Sequence, residues 1–190
     1  MKSGSITVIS GPSGVGKDTI IRHLVDEYSY RHVVSFTTRL PRSGERDGVD
    51  YHFVSEDTFL RMERNGELVD HAMVTGNHYG LAKTTLDWHL KCGAAVVINA
   101  VIETGYLLRT NYRKVRLVFI RPPSKESLMR RLVGRGMPIN EIEARYQEKP
   151  DQCTPPNYYD LVIVNEDGRH AEAAALIAQD DWLLCRQQGA

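Results

Sequence analysis

Gly11-Pro12-Ser13-Gly14-Val15-Gly16-Lys17 satisfies the pattern G-x-x-x-x-G-K. Glycines at these spacings let successive backbone N–H groups converge on one anion, because no Cβ blocks the turn. Lys17 then brings an ammonium to the outer phosphates of a bound polyphosphate. The position after the lysine commonly carries a hydroxyl that holds Mg2+; here it is Asp18, with Thr19 behind it. A carboxylate and a hydroxyl are both hard oxygen donors, so Asp18 and Thr19 are the candidate metal ligands. The run from Gly11 to Thr19 is expected to form a nucleotide-phosphate site.

Such a loop needs a strand in front of it and a helix behind it. Both are written in the flanks. Ser5–Ser10 is a short β-branched run suited to a strand buried on both faces. Behind the loop, Ile20, Ile21, Leu24 and Val25 recur at helical spacing to about Tyr28. The alternation then repeats, with strands predicted at Ala94–Ile98, Val115–Ile120 and Asp160–Val164. Helices are predicted at Ile102–Thr110, Ser124–Gly134 and Arg169–Leu184. This order predicts an α/β fold of three layers, with a mainly parallel sheet and right-handed crossovers. Two stretches break the rhythm. Residues 35–83 are polar and rich in turn residues, with one alternating run at Val49–Val54. They read as a lobe inserted at the sheet's C-terminal edge, where open α/β sheets bind ligands. Arg130–Lys149, polar and Arg-rich, interrupts the helix pattern and reads as a mobile lid. One domain is expected, its core at 1–34 and 84–190.

The 190 residues carry 24 Lys+Arg against 24 Asp+Glu, and 42% are hydrophobic. That balance excludes disordered and fibrous classes. It also speaks against a nucleic-acid partner, which calls for a basic excess. No apolar stretch reaches the roughly 18 residues of a membrane span, so no membrane partner is expected. Cys92, Cys153 and Cys185 are odd in number and lack C-x-x-C spacing, which predicts free thiols and a cytoplasmic protein. The seven histidines show no metal-ligand spacing. Met62, Met73, Trp88 and Trp182 are expected in the core, and Arg116 and Arg130 on the surface.

The run Ser35-Phe36-Thr37-Thr38-Arg39-Leu40-Pro41-Arg42 continues with Gly44, Glu45, Asp47, Gly48, Asp50 and Tyr51-His52-Phe53. Taken with the phosphate loop, it resembles the guanylate kinase family. Gly76-Asn77-x-Tyr79-Gly80, Arg131-Leu132-x-Gly134-Arg135-Gly136 and Val162-x-Val164-Asn165 extend the resemblance over nearly the whole chain. It implies a kinase that uses ATP and Mg2+ to phosphorylate the phosphate of a small acceptor, GMP or dGMP. It also implies an acceptor-binding lobe at 35–83 and a lid at about 130–149. The family's acceptor-phosphate clamp falls on Ser35, Arg39, Arg42, Tyr51 and Tyr79. Guanidinium forks grip oxyanions bidentately, so two arginines among hydroxyls suit a dianionic phosphate. Arg131, Arg135 and Arg145 fall on family positions that, with Lys17, neutralise charge on the transferring phosphoryl.

The base-reading end departs from the family. Its carboxylate falls on Asp70, one methylene shorter than the usual Glu, and its hydroxyl falls on Leu81, which has none. The acidic strand end is replaced by Asn99. This departure resembles ribose 1,5-bisphosphate phosphokinase, whose sugar acceptor needs no base pocket and becomes phosphoribosyl diphosphate. A further alternative is a guanylate-kinase-like binding module without catalysis. Such modules typically lose the loop lysine, and Lys17 is present. The expected function is therefore phosphoryl transfer, with GMP or dGMP as acceptor.

Overall fold

The computed structural model of the chain describes residues 4–42, 44–148 and 153–187; the side chains at 145, 148 and 181–187 lie outside that description. β1 (Ser5–Ser10) leads into α1 (Lys17–Tyr28), followed by β2 (Arg31–His32), β3 (Phe36–Thr37), β4 (His52–Phe53) and α2 (Glu56–Arg64). β5 (Ala72–Val74) and β6 (Asn77–Gly80) precede α3 (Lys83–Lys91), β7 (Ala95–Asn99) and α4 (Ile102–Asn111). β8 (Val115–Arg121), α5 (Lys125–Gly134), α6 (Ile139–Glu148), β9 (Leu161–Val164) and α7 (His170–Gln187) follow.

Five strands form one sheet in the order β2-β7-β1-β8-β9, with β2–β7 and β8–β9 paired in parallel. Parallel strands reached by helical crossovers are covered on both faces, which explains their near-continuous apolar runs. Ile6, Val8 and Ile9 of β1 and Val96, Val97 and Ile98 of β7 are fully buried. The expected α/β class with a mainly parallel sheet is the class observed. By internal contacts the chain divides into two compact units, residues 1–8 with 29–116 and residues 9–28 with 117–190.

The first unit carries a second, four-stranded sheet in the order β4-β3-β6-β5. β3 pairs parallel with β4 and antiparallel with β6, and β5 and β6 form a hairpin in which Val74 faces Asn77. Its strands are two to four residues long, so periodicity predicts little of it. The run Val49–Val54 contributes only His52–Phe53 as strand; its first half is a turn around Asp47–Asp50. α2 was not expected. It is capped by Ser55, whose hydroxyl accepts from the Thr58 amide at 3.3 Å, and it buries Phe59 and Met62.

In the second unit α1 buries Ile20, Ile21 and Leu24 and packs against α7. The stretch from Arg130 does not interrupt the helix pattern: it holds the last turn of α5, a short loop and α6, with Ile142 buried. Its polar sequence leaves one helical face in solvent, and Lys149 lies outside the described residues. Met73 and Trp88, expected in the core, are 62% and 61% exposed, whereas Arg116, expected on the surface, is buried. The Trp182 side chain lies outside the description. Among the described residues no helix is long and apolar enough to cross a membrane.

Candidate active site

In the second unit β1 ends at Ser10 and α1 begins at Lys17, so a six-residue loop joins them as the pattern requires. Gly11 has φ +145°, and a Cβ there would sit 2.2 Å from the Ile120 carbonyl oxygen. Gly16 has φ +99°, and its Cβ would meet Asn165 Nδ2 at 2.6 Å and His170 Nε2 at 2.8 Å. Any other residue would displace the loop. Gly14 lies against Leu132 and Leu128 of α5, while Ser13 is exposed.

Lys17 Nζ donates to the carbonyls of Gly11 at 2.8 Å and Pro12 at 3.2 Å. Burial holds its pKa below the usual lysine value; neighbouring Asp18 opposes that and Arg135 adds to it. A desolvated ammonium beside a second cation has its charged form favoured by an incoming anion. Arg131 ties the loop to the residues after β9. Its Nη1 donates to the Val15 carbonyl at 3.2 Å, its Nη2 to the Asn165 carbonyl at 2.7 Å, and its Nε to Asp167 Oδ1 at 2.8 Å. The bond from Arg131 holds the Asp167 carboxyl below the usual carboxylate range. The buried Asn165 donates through Nδ2 to the same Val15 carbonyl at 2.7 Å. Its buried Oδ1 has no hydrogen-bond partner among the described residues.

Arg135 is exposed at the C-terminus of α5, and Arg145 lies on α6 with its side chain outside the description. Asp18 is exposed and Thr19 half-buried in the first turn of α1. One exposed carboxylate and one hydroxyl fit a hard divalent ion that keeps several of its waters. Among the described residues no group of three or more His, Cys, Asp or Glu could hold a metal. Asn165, Asp167 and His170 carried no role in the sequence reading. The available signal was a polar group at the end of apolar β9, the edge where such sheets bind ligands.

The first unit gathers the other predicted residues around Arg39. Its Nη2 donates to both carboxylate oxygens of Glu45 at 2.9 Å, and its Nη1 to the Leu40 carbonyl at 2.7 Å. The guanidinium lies 5.5 Å from the Tyr51 ring centroid, and Tyr51 meets Tyr79 edge-on at 5.8 Å. Burial disfavours the Arg39 cation, but its bonds to Glu45 and Tyr79 outweigh that and hold it firmly charged. Arg42 is exposed, and its backbone amide donates to Glu45 Oε2 at 2.8 Å. Glu45 thus organises both arginines, a role that spacing alone did not reveal. The Ser35 carbonyl accepts from the His52 amide at 2.9 Å, which fixes Ser35 beside β4.

Asp70 is half-buried ahead of β5. Its Oδ1 accepts from the Leu81 amide at 2.9 Å, and its Oδ2 accepts a short bond from the Thr104 hydroxyl on α4. Burial raises the Asp70 pKa, while the bonds from Thr104 and Leu81 and nearby His71 oppose the rise. Leu81, where a hydroxyl was sought, is buried, and only its backbone engages Asp70. Asn99 closes β7 and is half-buried. Thr104 was missed: it lies 34 residues from Asp70 in sequence. Its one signal is a hydroxyl on the face of α4 that also buries Gly105 and Leu108.

Residues 3–174 match the family model described as Guanylate kinase. A guanylate kinase of Frankia casuarinae is 41% identical over 175 residues, 91% of this chain and 95% of that protein. A guanylate kinase of Anaplasma phagocytophilum is 36% identical over 192 residues, 98% of this chain and 91% of that one. A crystal structure of guanylate kinase from Anaplasma phagocytophilum superposes with a TM-score of 0.71 at 30% identity, covering 96% of this chain and 86% of that one.

Proposed function

The chain belongs to the guanylate kinase family, and from that premise we propose that it transfers the γ-phosphoryl group of ATP to the phosphate of GMP. The observation that carries this reading is Lys17, a desolvated ammonium held on the loop carbonyls with Arg135 near enough to depress its pKa. Such a site gains most from a highly charged phosphate chain. A binding-only module would have no use for it. The names of the relatives favour GMP over a sugar bisphosphate acceptor.

Transfer is in line, without a covalent enzyme intermediate. A phosphate oxygen of GMP forms the new bond to the γ-phosphorus as the bond to the β-bridging oxygen breaks, releasing ADP and GDP. No general base is required, because the attacking oxygen is already an anion. Catalysis then rests on positioning and on charge stabilisation. Lys17 and the loop amides hold the β- and γ-phosphates. Arg135 and Arg145, with α6 read as the lid, supply positive charge around the transferring group. Arg131 holds the Val15 carbonyl and so fixes the loop's curvature. Arg39 and Arg42, with Ser35, Tyr51 and Tyr79, hold the acceptor phosphate, and Asp70 and Asn99 face the base.

Mg2+, which neutralises charge on the polyphosphate when bound, would be held through Asp18 and Thr19. Asp18→Ala is expected to raise the Mg2+ concentration for half-maximal activity by about threefold or more, since one hard oxygen ligand is lost. An unchanged Mg2+ titration would leave Asp18 only as a residue favouring the first turn of α1 through the helix dipole.

The activity itself is tested by coupled ADP release across GMP, dGMP, AMP, UMP and ribose 1,5-bisphosphate. GMP is expected to give the highest kcat/KM. A higher value for the sugar bisphosphate would overturn the acceptor assignment, and no ADP release with any acceptor would overturn the kinase reading.

A further inference from the structure

We propose that Thr104 is a positioning residue for acceptor recognition: its hydroxyl holds Asp70 in the orientation in which that carboxylate reads the base. The inference rests on the reading of Asp70 as the base-facing carboxylate.

The geometry begins with a carboxylate tied at both ends. Asp70 Oδ1 accepts from the Leu81 amide and Oδ2 from Thr104 Oγ1, so the carboxylate plane is set by one bond from the backbone after β6 and one from α4. Thr104 is 5% exposed and therefore cannot trade this bond for water without opening α4. A helical threonine is restricted to two main χ1 rotamers, so its hydroxyl loses little entropy on bonding Asp70. The backbone just before Asp70 is fixed as well, by the Val69 amide donating to the Leu81 carbonyl at 2.7 Å.

The chemistry follows from who donates. Thr104 and Leu81 both donate, and two donated bonds favour the anionic form of the carboxyl group. Guanine presents adjacent N1–H and N2–H donors, which an ionised carboxylate accepts side by side. A protonated Asp70 would put its own O–H against one of those donors. Burial pushes Asp70 toward that protonated form, and the groups that oppose it are Thr104 from α4, the Leu81 amide and His71 on the adjoining segment.

The test is steady-state kinetics on the full chain, with GMP and ATP each varied across pH. Thr104→Val, nearly isosteric but without the hydroxyl, is expected to raise KM for GMP by about tenfold, as for one lost bond to a charged group. KM for ATP should stay within about twofold, since the donor site keeps all its contacts. The acid limb of kcat/KM for GMP should move to higher pH, because Asp70 loses a bond that favours its anion. Thr104→Ser should restore both the KM and the pH profile, which a loss of packing alone would not allow. If Thr104→Val does not fold, Thr104→Ala carries the same test. An unchanged GMP KM and pH profile in the hydroxyl-free variant overturns the proposal. Asp70→Asn separates the causes. If it raises the GMP KM while Thr104→Val does not, Thr104 is uninvolved; if neither does, Asp70 does not read the base.

Discussion

Lys17→Ala is expected to lower kcat by about 10²-fold or more, the usual loss when one charge-stabilising donor leaves a phosphoryl- or acyl-transfer site. The ammonium sits on the carbonyls of Gly11 and Pro12, within the loop that joins β1 to α1. Its charge is disfavoured there by burial, a cost that neighbouring Asp18 reduces and Arg135 adds to. An enzyme holds a cation in such a place for the anion it will meet. A phosphate chain favours that charge, and an interaction that strengthens as negative charge shifts during transfer speeds the step. Folding should change little. Two modest hydrogen bonds are lost, but so is the desolvation of a buried ammonium, and the two effects oppose each other. The check is kcat from coupled ADP release together with a thermal melt. A variant that melts like wild type yet works within about threefold of it, far short of that loss, would sink the kinase mechanism.

Arg39→Lys is expected to raise KM for GMP by about ten- to a hundredfold, with KM for ATP nearly unchanged, on a typical ~1.5–3 kcal/mol for hydrogen bonds to charged groups. The guanidinium makes three bonds in two directions, two to the Glu45 carboxylate and one to the Leu40 carbonyl, while lying near the Tyr51 and Phe53 rings. An ammonium is a point donor that can neither hold Glu45 and the Leu40 carbonyl from two separate nitrogens nor lie beside the rings as a plane. The clamp would therefore lose its internal order as well as one grip on the acceptor phosphate. Initial rates with each substrate varied at saturating partner give the split. Equal increases in both constants would show that Arg39 does not serve the acceptor.

Glu45 and Thr104 mark where sequence reading stopped, and for different reasons. Glu45 stood inside the recognised run but reads alone as a solvated carboxylate. Only the fold shows it bonded to Arg39 and to the Arg42 amide. Thr104 is joined to Asp70 by the packing of α4, and no local pattern links positions so far apart.

The elements legible in sequence are those whose signal is contained in their own residues. β1 spans Ser5–Ser10 as predicted, α1 spans Lys17–Tyr28, and α5 begins after its Ser124 cap and ends at Gly134. The loop between β1 and α1 was equally legible, because backbone convergence on an anion depends on glycine spacing within a few residues. The tertiary structure alone decided the four-stranded sheet. Its two-residue strands β3 and β4 have too few side chains to show a period and exist because Phe36 finds His52 and Gly80 as partners. The same limit explains Trp88 and Met73, apolar yet exposed, and Arg116, charged yet buried. A residue's type states what its burial would cost; whether a neighbouring element covers it is set by packing between segments distant in the chain.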